Sequence, residues 1–191
     1  MNDRQSAKKY QIIYADPPWE FNFQKRNGLS DEAKGRLYPT MKAQDIVDLP
    51  VGEISDNDCV LFLWVMNSEL PLALQCIEAW GFTYKTIAFV WIKTTSTGKQ
   101  FFGGGNWTRS NPELCLLATK GKPERKSASV RKLIVSPKRE HSRKPDEIRD
   151  AIVKLCGDVQ RIELFCRYPS EGWDVWGNEV ECTIDLLGSN K

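Results

Sequence analysis

The sequence predicts a three-layer α/β domain: a mostly parallel sheet with helices on both faces. Two observations carry that expectation. Five runs, Gln11 to Ala15, Asp58 to Val65, Thr86 to Ile92, Glu113 to Thr119 and Arg161 to Cys166, are almost continuously apolar, the pattern of strands covered on both faces. Two of the intervening stretches place apolar residues at helical spacing and end in glycine, and strands interleaved with helices build layered α/β sheets.

Taken in order, the first strand runs into Asp16-Pro17-Pro18-Trp19. Glu20 to Pro50 is polar and irregular, with one candidate helix around Ala43 to Asp48. After the strand DCVLFLWV, a helix is expected over Glu69 to Trp80, with Leu70, Leu74, Ile77 and Trp80 on one face and Gly81 as its stop. The strand TIAFVWI leads into a Gly- and Ser-rich loop, Thr94 to Pro112, of a length that compact domains seldom keep without use. The strand ELCLLAT follows, then a basic stretch, then KPDEIRDAIVKLCG. There Pro145 suits a first helical turn, Asp146 and Glu147 meet the positive helix end, Ile148, Ile152 and Leu155 share a face, and Gly157 closes the helix. The last expected strand is RIELFC.

At 191 residues and 41% hydrophobic content, a single domain over residues 1–191 is expected. The polar start MNDRQSAKKYQ lacks a signal-peptide core and no run of 18 apolar residues occurs, so a cytoplasmic protein without a membrane partner is expected. Six cysteines, at 59, 76, 115, 156, 166 and 182, form no C-x-x-C pair and read as buried thiols of a reducing compartment. With one histidine, His141, ligands for zinc are too few, and no metal is expected. The net charge is +2, yet residues 120–144 carry ten bases against two acids and residues 145–191 five bases against ten acids. The basic block is open to two readings, a solvated loop or a phosphate-contacting strip through Arg125, Lys126, Arg131 and Lys132.

The stretch Asp16-Pro17-Pro18-Trp19 joins two prolines, which carry no N–H, to a carboxylate, leaving a rim of acceptors alone. The complement of such a rim is a group with two donor hydrogens, as in the exocyclic amine of a nucleobase, and an indole offers a face on which a base can stack. A rigid turn is the plainer reading of the two prolines. Open α/β sheets bind ligands beyond the carboxyl ends of their strands, where Asp16, Trp64, Lys93 and Arg167 are all expected.

Together with LYPTM, LFLWV, IEAWGF, VWIKT, NWTRSNPELCLLATKGKP, REHSRKPDEI, ELFCR and GWDVWGNE, the stretch YADPPW resembles the MT-A70 family of S-adenosylmethionine-dependent adenine-N6 methyltransferases, almost end to end. In size the chain resembles the short bacterial and phage forms. The resemblance implies a Rossmann-like methyltransferase sheet in permuted motif order, catalytic strand early and cofactor strand late. It implies S-adenosyl-L-methionine as cofactor and nucleic acid as partner, DNA ahead of RNA, with a homodimer as the candidate assembly. By motif position, Lys144 would lie near the cofactor carboxylate, and Arg167, Asn178 and Glu179 around its ribose and adenine. Glu163 and Phe165, in ELFCR, are placed with them, although Glu163 also suits a paired structural acid. ELFCR lacks the glycine-rich turn that many methyltransferases carry at this point.

In chemical terms, Asp16 and the carbonyl of Pro17, backed by Pro18, would hold the amine in line for transfer, with Trp19 as the stacking platform. Tyr38 and Trp107 are further candidates for contact with the base, which must leave a duplex stack to react. Trp64 and Trp91 are expected in the core. RNA as substrate, and an inactive nucleic-acid-binding subunit of the same fold, are the alternatives; an intact Asp16-Pro17-Pro18-Trp19 weighs against the second.

Overall fold

The computed structural model describes residues 8–19, 40–105, 107–140 and 143–188; Tyr38 and His141 lie outside them. Strands β1 (Tyr10–Ala15), β2 (Ser55–Val65), β3 (Thr83–Thr94), β4 (Glu113–Lys120), β5 (Leu133–Pro137), β6 (Arg161–Leu164) and β7 (Asp174–Trp176) form one sheet in the order β5-β3-β4-β2-β1-β6-β7. Four α-helices accompany them among the described residues, α1 (Ala43–Val47), α2 (Val51–Ile54), α3 (Leu70–Ala79) and α4 (Glu147–Cys156), with a short 3-10 helix over Asn67–Glu69 leading into α3.

Pairing is parallel for β1 with β2 and β6, for β3 with β5 and for β6 with β7, and antiparallel only where β4 meets β2 and β3. Six strands therefore run one way and β4 runs against them. One rim of the sheet gathers the carboxyl ends of those six strands and the amino end of β4, and the residues singled out for chemistry collect there.

Successive side chains of β1 and β2 enter opposite cores. Ile13, Ala15, Leu61 and Leu63 join Ala73, Cys76 and Ile77 of α3 on one face. Ile12, Tyr14, Phe62 and Trp64 join Ile148 and Ile152 of α4 on the other. Two-sided burial accounts for the unbroken apolar runs, and each large side chain so buried contributes about 1.5–3 kcal/mol.

Helix α3 forms where its spacing predicts, but its buried face centres on Ala73, Cys76 and Ile77, while Leu70 and Leu74 are half-buried beside it. Small residues let the helix approach the sheet, and the leucines flank that approach. Helix α4 starts at Glu147, two residues after Pro145, whose carbonyl accepts from the Ile148 N–H. The proline therefore precedes the helix and is not in its first turn. Two strands were not evident in the sequence: β7 is three residues long, and β5 lies inside the basic block as an edge strand whose side chains alternate exposed and half-buried. Five of the six cysteines are buried thiols as expected, but Cys182 is exposed, because it lies on the loop after β7 and in no strand or helix.

Candidate active site at the strand ends

Asp16 follows the last residue of β1, in the middle of the rim. Its Oδ2 accepts from Lys144 Nζ at 2.7 Å, and Lys144 lies 3.2 Å from Glu113 Oε2 at the start of β4. Glu113 is also bonded by Lys93, near the end of β3. The four side chains are largely sequestered, with exposures of 11% for Lys144 and 22% for Asp16, and two acids balance two bases. Each ammonium also faces an indole, Lys144 at 5.5 Å from the Trp64 ring centre and Lys93 at 5.3 Å from that of Trp91.

Burial pushes the Asp16 carboxyl above its ordinary range, against the pull of Lys144 and of Arg167. At Glu113 burial acts the same way, but Lys144 and Lys93 together outweigh it and hold the carboxyl low. Burial disfavours the Lys144 ammonium, yet Asp16 and Glu113 overcome that and keep it charged above its ordinary range. The rim thus holds an acceptor whose ionised form is disfavoured by burial and favoured by its cationic neighbours, beside a cation that two acids keep charged.

The Asp16-Pro17-Pro18-Trp19 segment is a tight turn as well as an acceptor rim. The Trp19 N–H donates to the Pro17 carbonyl at 2.9 Å, and the Pro18 carbonyl accepts from the Met41 N–H at 3.1 Å. The Pro17 oxygen therefore has one lone pair engaged and one remaining. Trp19 departs from expectation: it is 3% exposed, belongs to the α3-side core, and its Nε1 donates to the Trp64 carbonyl at 3.1 Å. A ring packed that way braces the turn and offers no open stacking face. Trp64 and Trp91 are core residues as expected, and Trp64 donates to the Tyr14 hydroxyl at 2.8 Å.

Beside Asp16, β6 ends one residue before Phe165, which has φ 60°, the one positive value at a non-glycine residue among those described. The ring of Phe165 packs edge-on against Trp176 at 5.4 Å, and the Cys166 N–H donates to the Trp176 carbonyl at 3.0 Å. Gly177 is needed there, because a Cβ would stand 2.3 Å from the Cys166 oxygen. Arg167 follows, half-buried, and Asn178 and Glu179 are exposed on the adjoining loop after β7. Glu163 takes the paired-acid role: Arg149 Nε and Nη2 bind its two oxygens at 2.6 Å and 2.9 Å.

The glycine-rich loop between β3 and β4 rises from the same rim. Asn111 pins its base, accepting from the Lys93 N–H at 2.8 Å and donating to the Lys93 and Phe101 carbonyls. Within the loop, Gly103 donates to the Ser110 carbonyl, and a Cβ on Gly105 would stand 1.9 Å from the Thr108 oxygen. Trp107 is 99% exposed and Phe102 62%, and Lys138 stands 4.5 Å over the Phe101 ring.

The basic block is not one strip beside Asp16. The Lys126 N–H donates to the Leu155 carbonyl near the end of α4, and the chain has by then travelled the length of β4 away from the rim, roughly 24 Å. Arg125 and Lys126 therefore lie at the opposite end of the sheet. Arg131 and Lys132 precede β5, and only from Lys138, whose N–H donates to the Thr94 carbonyl, has the chain returned to the rim. A β-strand in the middle of the block separates its cations.

Sequence reasoning misses the roles of Glu113, Lys93, Arg149 and Asn111, and of these it marks only Lys93, as a strand-end residue. The others carry no local signal, since each owes its position to a partner at least 14 residues away or to a loop closure. Among the described residues, no group of three or more His, Cys, Asp or Glu side chains is placed to hold a metal ion, and no helix is long and apolar enough to cross a membrane.

A family model described as MT-A70 matches residues 10–179. The chain is 35% identical over 189 residues to the Type II methyltransferase M.MunI of a Mycoplasma species, covering 91% of this chain and 78% of that protein. It is 30% identical over 179 residues to the human N(6)-adenosine-methyltransferase catalytic subunit METTL3, covering 91% of this chain and 28% of that one. Similarity to the N(6)-adenosine-methyltransferase MT-A70-like protein of Arabidopsis thaliana is 30% over 174 residues, 88% of this chain and 23% of that one. The chain thus spans about a quarter of the length of the plant and human relatives.

Proposed function

Because the chain belongs to the MT-A70 family of methyltransferases, we propose that it methylates the N6 amine of adenine in nucleic acid, DNA ahead of RNA, with S-adenosylmethionine as donor. The observation that carries the reading is the Asp16 carboxylate at the end of β1, fixed by Lys144 and adjoining the left-handed turn after β6. Adenine as target is supported by the acceptor character of that rim and by the N(6)-adenosine activity in the names of two relatives. DNA is favoured by the match along 78% of a Type II methyltransferase.

The residues present suit the donor molecule. Lys144 and Arg167 offer cations to a carboxylate, Glu179 an acceptor to ribose hydroxyls, and Asn178 an amide to a purine edge, all on one rim. When bound there, the donor supplies an electrophilic methyl group. The chain's own contribution is positional. Asp16 and the remaining lone pair of the Pro17 carbonyl accept from the two amine hydrogens, which draws the nitrogen toward pyramidal geometry, localises its lone pair on the nitrogen instead of in the ring π system and fixes its direction. Positioning of this kind can account for about 7–11 kcal/mol of a barrier. The proton that leaves the methylated nitrogen passes to Asp16 or to water. Trp107 and Phe102, exposed on the loop, provide stacking surface for a base outside its duplex.

Incubation with isotope-labelled donor and separate DNA and RNA substrates, followed by digestion and mass spectrometry of nucleosides, tests the proposal. Labelled N6-methyladenine from DNA is expected. The same product from RNA alone would overturn the choice of DNA, and N4-methylcytosine would overturn the target.

A further inference from the structure

Arg149 has its three guanidinium nitrogens engaged with two carboxylate side chains and one main-chain carbonyl. Nε and Nη2 hold Glu163 of β6, Nη2 also donates to the Tyr168 carbonyl at 3.2 Å, and Nη1 lies 3.2 Å from Asp146 at the start of α4. Between Glu163 and Tyr168 lies Phe165, a bulky residue at φ 60°, a conformation that costs free energy and persists only where surrounding contacts impose it. Arg143 adds a second hold, its guanidinium 4.3 Å over the Tyr168 ring.

A glycine would adopt this turn without strain. Here a phenylalanine adopts it, and the chain fastens both flanks of the turn to α4. The fork matters more than the charge: only a planar guanidinium can bind both oxygens of one carboxylate and still reach a carbonyl four residues from the strand end. Side-chain exposure of 12% for Arg149 and 9% for Glu163 shields the clamp from water.

We propose that Arg149, assisted by Arg143, is a positioning residue that holds the strained turn Phe165–Tyr168 in the shape that receives the methyl donor. The inference rests on the reading of this rim as the donor site. In the ligand-free protein the clamp preorganises the turn, so that ordering it is not charged against binding.

The test is calorimetric titration of S-adenosylhomocysteine into the wild-type protein, Arg149→Lys and Arg143→Ala, with thermal melting of each free protein. Arg149→Lys keeps the charge that balances Glu163 and loses the fork. Its expected dissociation constant is raised about tenfold or more, with a cooperative melt retained and kcat at saturating donor within about threefold. Wild-type affinity in a folded Arg149→Lys protein would overturn the proposal and leave the donor site intact. Should Arg149→Lys not fold, Arg143→Ala decides, since it loosens the same turn from the surface: weaker binding by about threefold or more supports the clamp, and unchanged binding overturns it. Failure of the wild-type protein to bind at all would overturn the donor-site reading and this inference with it.

Discussion

Lys144 Nζ stands 2.7 Å from Asp16 Oδ2, across 128 residues of sequence. The contact joins the end of β1 to the segment that leads into α4, and Glu113 is the second anion on the same ammonium. A cation held between two acids has little freedom to leave. Lys144 bonds one oxygen of the Asp16 carboxylate, Oδ2, and in the proposed mechanism the other meets a donor on the substrate.

Asp16→Ala is expected to abolish methyl transfer while leaving the affinity for S-adenosylhomocysteine within a few-fold. In the proposed mechanism the carboxylate acts on the amine, and Lys144 keeps Glu113 as partner in its absence. Single-turnover assays and calorimetry on one preparation separate the two effects. Turnover retained in the variant would remove Asp16 from the chemistry.

Lys144→Met should move the acid limb of the pH–rate profile upward. Lys144 lowers the Asp16 pKa against the effect of burial. Without that ammonium the carboxyl rises further, and an acceptor that must be ionised is lost at a higher pH as the solution is acidified. Profiles of kcat/KM for the two proteins check the direction. An acid limb that stays in place would mean that Asp16 does not govern it.

Trp19→Ala should act on stability first. The ring is 3% exposed in the core beside α3, and truncating such a ring costs about 3–5 kcal/mol. Urea unfolding is the measurement. Full stability combined with weakened binding of nucleic acid would show that the ring stands free after all.

Cations of the basic block should separate by position. Lys138→Gln and Trp107→Ala, at the rim, are expected to weaken nucleic-acid binding, with the log-log salt slope shallower by about 0.9 per lost phosphate contact on duplex for Lys138→Gln. Arg125→Gln with Lys126→Gln, at the far end, should leave a short oligonucleotide's affinity unchanged. Equal losses in both sets would indicate a footprint that reaches the far end of the sheet.

Asp146→Asn should produce a stability deficit that depends on pH. Hydrogen bonding from Arg139, then the charges of Arg139 and Arg143, hold the Asp146 carboxyl down to about 2. A carboxyl depressed in the folded state contributes stability above its unfolded pKa, near 4, and loses it as pH falls toward 2. The side chain is 51% exposed, so solvent screening limits the contribution to about 1 kcal/mol or less. Melting temperatures of the two proteins should differ by about 2–4 °C or less at neutral pH and converge near pH 2. A gap that persists there would assign the effect to packing.

By itself the sequence determined the layers. Unbroken apolar runs follow from burial on two faces, helical spacing followed by glycine marked α3 and α4, and the acceptor-rich Asp16-Pro17-Pro18-Trp19 at a strand end located the rim. These are local properties, carried by residues within one turn or one strand of each other. Only the tertiary structure decided the rest. The reversal of β4 brings Glu113 onto the rim and carries Arg125 and Lys126 away from it. Trp19 lies inward in the core it shares with α3, bonded to the Trp64 carbonyl of β2, Arg149 claims Glu163 because folding brings α4 to β6, and Phe165 adopts a left-handed turn because contacts from two elements hold it there. Each depends on which strands are neighbours, and neighbours in this sheet are separated by up to about 150 residues of chain; no pattern along a single segment encodes a partner at that range.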